Sequence, residues 1–293
     1  MRVIILGASG LIGHQLFLEL SNCFETFGIL HKKKNHYGGI SIFSGKNIIE
    51  NIDVNDFEIL QGILLGINPE VILNCVGITK RKEEINNPID AIRTNSLFPH
   101  LLANWARQNN KRVIHFSTDC VFNGSVGNYA ENSLTTAEDV YGRTKALGEI
   151  RYRNTLSIRS SFIGQELFGK TELLEWFLGQ KGKHIRGYTN TYYSGVSTIF
   201  MAKTVKSIIS DYPNLSGLYH LAPEKPISKY ELLCLARDAY RVDIEIIPDD
   251  QHAHQPTLDA TKLRKAINLC VPSWNIMMAE LAANKDFYAN VIL

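Results

Sequence analysis

Tyr141 and Lys145 stand four residues apart in Val140-Tyr141-Gly142-Arg143-Thr144-Lys145, a spacing that puts both side chains on one face of a helix. A phenol beside a fixed ammonium is a proton donor tuned for catalysis. Tyrosine alone keeps its proton up to about pH 10, and a neighbouring positive charge brings that value down. Chance also produces Tyr-x-x-x-Lys, so the pair takes its meaning from residues that could hold a hydride donor next to it.

Such residues open the chain. The apolar run Val3-Ile4-Ile5-Leu6 leads into Gly7-Ala8-Ser9-Gly10-Leu11-Ile12-Gly13, and Leu16, Leu18 and Leu20 continue beyond it. This reads as strand, glycine turn and helix. Glycine lets backbone approach a pyrophosphate, and the helix start offers unpaired N–H groups and partial positive charge to it. The glycines fall at 7, 10 and 13, in the pattern Gly-x-x-Gly-x-x-Gly and not Gly-x-Gly-x-x-Gly. A third element, Ser117-Thr118-Asp119-Cys120-Val121-Phe122-Asn123-Gly124, follows an apolar strand. Its Thr118 hydroxyl could hold a carbonyl oxygen beside the tyrosine, although a strand-end hydroxyl also commonly satisfies backbone.

The elements that must position these groups alternate. Strands are predicted at 27–30, 71–76, 113–117 and 155–159, and helices at 91–108 and 138–153. The expected fold class is therefore α/β, a Rossmann-type doubly wound parallel sheet, with ligands beyond the carboxyl ends of the strands. After Gly164 the rhythm changes, with helices near 171–178, 198–210 and 229–240, short strands near 218–221 and 244–247, and a helical stretch from Trp274. The expected domains are a dinucleotide-binding unit over 1–165, which carries the catalytic residues, and a smaller mixed α/β substrate lobe over 166–293. The chain is free to cross between them.

Charge is balanced, with 31 basic against 29 acidic residues, which argues against nucleic acid or a membrane surface as a partner. Cysteines at 23, 75, 120, 234 and 270 are odd in number and lack Cys-x-x-Cys spacing, so reduced thiols are expected and no metal site. No apolar stretch approaches the length of a membrane span. The apolar start is broken by glycines and has no small-residue cleavage site, which makes cytoplasm the default location.

Together the glycine turn, Thr118, Tyr141 and Lys145 resemble the extended short-chain dehydrogenase/reductase superfamily, and within it the dTDP-4-dehydrorhamnose reductase family of nucleotide-sugar reductases. The resemblance runs through Asp53-Val54-Asn55-Asp56, Asn74-Cys75-Val76-Gly77-Ile78-Thr79, Asn95, Ser117-Thr118-Asp119-x-Val121-Phe122-x-Gly124, Tyr129-Ala130-Glu131, Tyr141 to Glu149 and Arg159-Ser160-Ser161. It departs at Cys120, where the family shows tyrosine, at Ser197 for a proline, and over His252 to Asp259, where only Leu258 and Asp259 follow the pattern.

The resemblance implies that Tyr141 donates a proton to a ketone oxygen as hydride arrives, that Thr118 hydrogen-bonds that oxygen, and that Lys145 binds the nicotinamide ribose. The cofactor would lie on Gly7, Ser9, Gly10, Leu11, Ile12, Gly13, His31, Lys32, Asp53, Val54, Cys75, Val76 and Gly77. Candidate substrate contacts are Thr79, Asp119, Ser161, Arg186 and Tyr193, with Lys183 and Arg159 as further cations for a diphosphate. Asn95 is expected to be structural, Asp56 a helix cap, and the loop 124–137 a lid.

Cofactor choice follows from charge. His31-Lys32-Lys33-Lys34 stands where folds that prefer NAD place an acid for the ribose hydroxyls, and no Asp or Glu occurs from Thr26 to Ile49, so NADPH is favoured and NADH tolerated. Cys120 stands where related dehydratases carry glutamate, and a thiol is a poor substitute for that acid. The expected function is an NAD(P)H-dependent reductase of a nucleotide-linked 4-keto-6-deoxy sugar, with a homodimer as the assembly to test. An epimerase of the same fold stays open. So does a non-catalytic dinucleotide-binding subunit, because a regulatory partner of methionine adenosyltransferase shares the fold and much of the motif pattern.

Overall fold

The computed structural model describes residues 1–38 and 40–291, apart from the side chains of 290 and 291. Strands β1 (Arg2–Leu6), β2 (Glu25–Ile29), β3 (Ile48–Ile49), β4 (Val71–Asn74), β5 (Arg112–Ser117) and β6 (Thr155–Arg159) join Gly217–His220 in one seven-stranded sheet. Every pairing in it is parallel. The order runs Gly217–His220, β6, β5, β4, β1, β2, β3, so strand order reverses at β1 and opens a crevice between β1 and β4, as expected of a dinucleotide fold.

Alternation along β1 explains why both faces are covered. Val3 and Ile5 point into one apolar cluster with Leu16, Leu20 and the helix Thr198–Ser210, while Ile4 and Leu6 point into another with Leu60, Leu64, Phe98 and Leu102. Each side chain so buried stabilises the fold by roughly 1.5–3 kcal/mol. Helix α1 (Leu11–Leu20) packs on the first face, and α2 (Phe57–Ile67), capped by Asp56, packs on the second.

The long helix expected over 91–108 is broken into α3 (Pro88–Ala91), a wider π turn at Ile92–Leu97, and α4 (Phe98–Gln108). Pro99 has no N–H to give the carbonyl of Asn95 four residues back. That carbonyl instead packs against Gly148, where a Cβ would lie 1.9 Å from it. The same contact explains why α5 stops at Leu147, spanning Val140–Leu147 and not the expected 138–153.

The chain returns to the main sheet after residue 165, since Gly217–His220 lies beside β6 and the helix Thr198–Ser210 packs on α1. Two-stranded ladders stand outside the sheet: Phe162–Ile163 with Val196–Ser197, Tyr192–Tyr193 with Ile227–Ser228, and His184–Tyr188 with Glu245–Asp249. Among the described residues, no helix is long and apolar enough to cross a membrane.

Candidate active site

At the carboxyl end of β1, Gly7 turns with a positive φ of 80° and α1 begins beside it. A Cβ on Gly13 would lie 2.1 Å from the Gly7 carbonyl oxygen, so the close packing of helix on loop admits only glycine there. The cap position Gly10 offers no side-chain acceptor to the first turn, which leaves the helix start uncapped by any side chain. This glycine cradle with an uncapped helix start fits a dinucleotide pyrophosphate. His14, which sequence reasoning missed, locks the loop from below. Its ring is fully buried and bonds the Gly10 carbonyl and the Tyr288 hydroxyl, each at 2.8 Å. Burial lowers its pKa to about 4, against the Gly10 carbonyl's opposing pull.

The other expected dinucleotide contacts line the same edge unevenly. Cys75 and Val76 back the glycine turn, a Cβ on Gly7 lying 3.2 Å from Val76 Cγ2 and 3.4 Å from the Cys75 backbone. His31 and Lys32 are exposed just past β2. The Asp53 carboxylate is occupied in its own turn, accepting from the Asn55 N–H at 2.9 Å, and the Val54 side chain is buried in the core.

Thr118 follows directly on β5, and its hydroxyl accepts from the Cys120 N–H at 3.1 Å while donating to Asp119 Oδ1 at 3.2 Å. Asp139 caps α5 by accepting from the Gly142 N–H at 2.9 Å, and so fixes the helix that carries Tyr141 and Lys145. Helix α5, which carries Tyr141, packs against the turn that follows Thr118, and the nearby Thr118 hydroxyl favours the ionised phenol. Lys145 is buried, and its ammonium donates to the Phe116 carbonyl oxygen at 2.6 Å. It also lies 4.0 Å from where a Cβ on Gly77 would stand.

The electrostatics differ from the sequence expectation in one respect. Tyr141 is pushed above its ordinary value, first by burial and then by Cys120, with the Thr118 hydroxyl opposing. The Lys145 ammonium bonds a strand carbonyl, and burial therefore sets the direction for the phenol, which holds its proton firmly. Burial draws Lys145 itself down to about 8, with Glu149 and Cys75 holding it up. Cys120 is raised to about 12 by burial and Asp119, so its thiol is no substitute for a carboxylic acid at neutral pH.

Two cations proposed for phosphate pair with carboxylates. Arg159 is fully buried and grips Glu149 with Nε at 2.5 Å and Nη2 at 2.7 Å, which removes it from any ligand site. Arg186 lies on the outer ladder and pairs with Asp249 at 3.2 Å, its side chain otherwise exposed. Its partner, 63 residues on, lies beyond any local pattern. Lys183 is exposed beside Gln180.

The remaining substrate candidates are mixed. Asp119 is buried at the strand end, next to Thr118. The Ser161 carbonyl accepts from the Val196 N–H at 3.0 Å, and Thr79 leads the turn that contains Lys80. The Tyr193 hydroxyl is covered and has no hydrogen-bond partner, so in this conformation its ring serves as a wall against Trp274, 5.5 Å away.

Sequence reasoning also missed Lys80 and Lys229. Lys80 pairs with Asp139 at 2.9 Å and sits 5.9 Å from the Tyr141 ring centre. Lys229 is half-buried, and burial lowers its pKa while Asp119 and Cys120 oppose. Both follow strand ends that only the tertiary fold brings together. The expected lid is anchored instead: Tyr129 donates to the Thr257 carbonyl at 2.9 Å, accepts from the Asp259 N–H at 2.8 Å, and stacks on Phe122 at 4.1 Å.

Comparison with known proteins gives a family and a fold. A family profile described as the RmlD substrate binding domain matches residues 1–286. Methionine adenosyltransferase 2 subunit beta of Xenopus tropicalis is 24% identical over 90% of this chain and 82% of its own. A dTDP-4-dehydrorhamnose reductase of Aggregatibacter actinomycetemcomitans is 27% identical over 79% of this chain and 87% of its own. Among solved structures, the dTDP-4-dehydrorhamnose reductase of Bacillus anthracis in complex with NADP superposes with a TM-score of 0.80 at 19% identity, covering 97% of this chain and 99% of that one.

Proposed function

The chain belongs to the RmlD substrate binding domain family, and on that basis we propose that it is an NAD(P)H-dependent reductase of a nucleotide-linked 4-keto-6-deoxy sugar, acting in nucleotide-sugar biosynthesis in the cytoplasm. One observation carries this proposal. The helix carrying Tyr141 packs against the turn that follows Thr118, with the Lys145 ammonium bonded to the Phe116 carbonyl and buried beside Gly77, at the edge where the glycine cradle opens.

When bound, the reduced nicotinamide supplies hydride to the carbonyl carbon. Tyr141 gives its proton to the carbonyl oxygen, so the ketone gains one hydride and one proton and becomes a secondary alcohol. The Thr118 hydroxyl, exchanging its bond to Asp119, fixes that oxygen and stabilises the charge that develops on it. Lys145 holds the ribose and sets positive charge beneath the site. His31, Lys32 and Lys33 favour the 2′-phosphate of NADPH, and NADH is tolerated. The dTDP-4-dehydrorhamnose reductase relative and the NADP-bound structure support this substrate and cofactor class.

The test is a panel of dTDP- and UDP-linked 4-keto sugars offered with NADPH, followed by loss of reduced-nicotinamide absorbance. Turnover of at least one 4-keto sugar is expected. NADPH binding without turnover across the panel would instead favour a non-catalytic dinucleotide-binding subunit.

A further inference from the structure

Tyr37 belongs to no motif, yet it lies against the crevice. Its side chain is only 6% exposed, and its ring is wedged between Phe43 at 5.7 Å and Phe168 at 4.9 Å. This packing carries the phenol back to the sheet edge. There its oxygen accepts from the Lys32 N–H at 3.2 Å and lies 3.3 Å from Ser9 Oγ. Ser9 belongs to the glycine turn and Lys32 to the residues just past β2, which parallel pairing holds side by side through Gly7 N–H and Ala8 N–H on the Ile29 carbonyl, at 3.2 and 3.0 Å.

The hydrogen bonding leaves one proton over. If Ser9 donates to Tyr37, the phenol accepts twice and its own proton has no acceptor among the described residues. If Tyr37 donates to Ser9, the serine proton is the one left. Either way, a hydroxyl donor with no partner sits between the glycine turn and the β2 end, at a pair whose Tyr37 ring is fixed by packing.

The surrounding charge selects what this donor meets. Glu50, the first carboxylate after β2, accepts from the Lys34 N–H, and the Lys34 ammonium reaches the Gly45 carbonyl at 3.2 Å. Lys32 and Lys33 are exposed and have no carboxylate within 4.0 Å among the described residues. An unpaired hydroxyl donor close in sequence to two lysines without carboxylate partners is matched by an anion rich in acceptor oxygens.

We propose that the Tyr37 hydroxyl, paired with Ser9, is a specificity-determining group for the 2′-phosphate of the adenosine ribose. It discriminates between phosphorylated and unphosphorylated dinucleotides. This rests on the dinucleotide site proposed above and goes beyond it in naming a residue that sequence patterns do not mark.

The test uses the full chain and two fragments, 2′,5′-ADP and 5′-AMP, titrated by calorimetry against wild type, Tyr37→Phe and Ser9→Ala. Tyr37→Phe keeps the ring and its packing. It is expected to weaken 2′,5′-ADP about ten-fold or more, the usual effect of losing a hydrogen bond to a charged group, while 5′-AMP binds as before. Ser9→Ala is expected to act in the same direction. Equal weakening of both fragments by Tyr37→Phe would make the residue merely structural and overturn the proposal, as would no change in either. Wild type that binds neither fragment nor NADPH would overturn the dinucleotide site itself, and this inference with it.

Discussion

The Lys145 ammonium bonds the Phe116 carbonyl oxygen at 2.6 Å, and this fastens the helix of Tyr141 and Lys145 to the strand that leads into Thr118. The lysine therefore joins two elements that must stay in register, and its charge is sheltered from water.

That shelter gives a pH dependence. Burial lowers Lys145 from 10.5 to about 8, so the ammonium is lost as pH rises through about 8, and turnover is expected to fall on an alkaline limb there. The stability term has a definite sign. Between about 8 and 10.5 the unfolded chain binds more protons than the folded one, so this group's contribution to stability rises with pH across that window. Below it, the cost of the buried charge is fully present. Thermal unfolding of wild type and Lys145→Met from pH 7 to pH 10 should show the wild type gaining on the variant. A constant difference would remove the buried charge from the account.

Tyr141→Phe removes only the proton donor. Because burial raises the phenol's pKa, the group stays protonated across the working range and contributes no limb of its own. Turnover should drop by about two orders of magnitude or more, while NADPH binding is nearly unchanged. Unaltered turnover would take Tyr141 out of the mechanism.

Glu149 binds three elements at once. Arg159 on β6 grips it with two nitrogens, Ser117 on β5 donates to it at 2.9 Å, and it lies just beyond the end of α5. Removing one partner from a buried pair leaves an uncompensated charge, so Glu149→Gln should cost about 3–5 kcal/mol in denaturant unfolding. It should also move the alkaline limb to lower pH, since Glu149 supports the Lys145 charge. Lost stability with the limb unmoved would make Glu149 a structural anchor only.

What was legible in the sequence was local. Gly7, Gly10 and Gly13 share one turn, and Tyr141 and Lys145 share one face of a helix, so a few residues of chain carry the whole pattern. The parallel order of the strands followed from alternating apolar runs. Helix ends were less legible, because Gly148 stops α5 through contact with Asn95, 53 residues before it. The charged partners were not legible at all. Nothing near Arg159 or Arg186 announces that they pair with Glu149 and Asp249, and nothing near Lys229 announces that it stays unpaired. Tyr37 was hidden for the same reason, since it reaches Ser9 across 28 residues.

Lys229 and Tyr193 separate a ligand contact from a wall. Lys229 is half-buried near Asp119 and Cys120, with no carboxylate within 4.0 Å among the described residues. A desolvated, unpaired cation is costly for the fold and is relieved by a bound anion. Lys229→Met should therefore leave stability equal or improved and raise the KM for a diphosphate-linked sugar about ten-fold or more, with kcat little changed. The Tyr193 hydroxyl has no partner to lose, so Tyr193→Phe should not lower stability and should leave KM unchanged. If Tyr193→Phe raises KM while Lys229→Met does not, the anionic part of the substrate lies elsewhere and the phenol turns toward the ligand on binding.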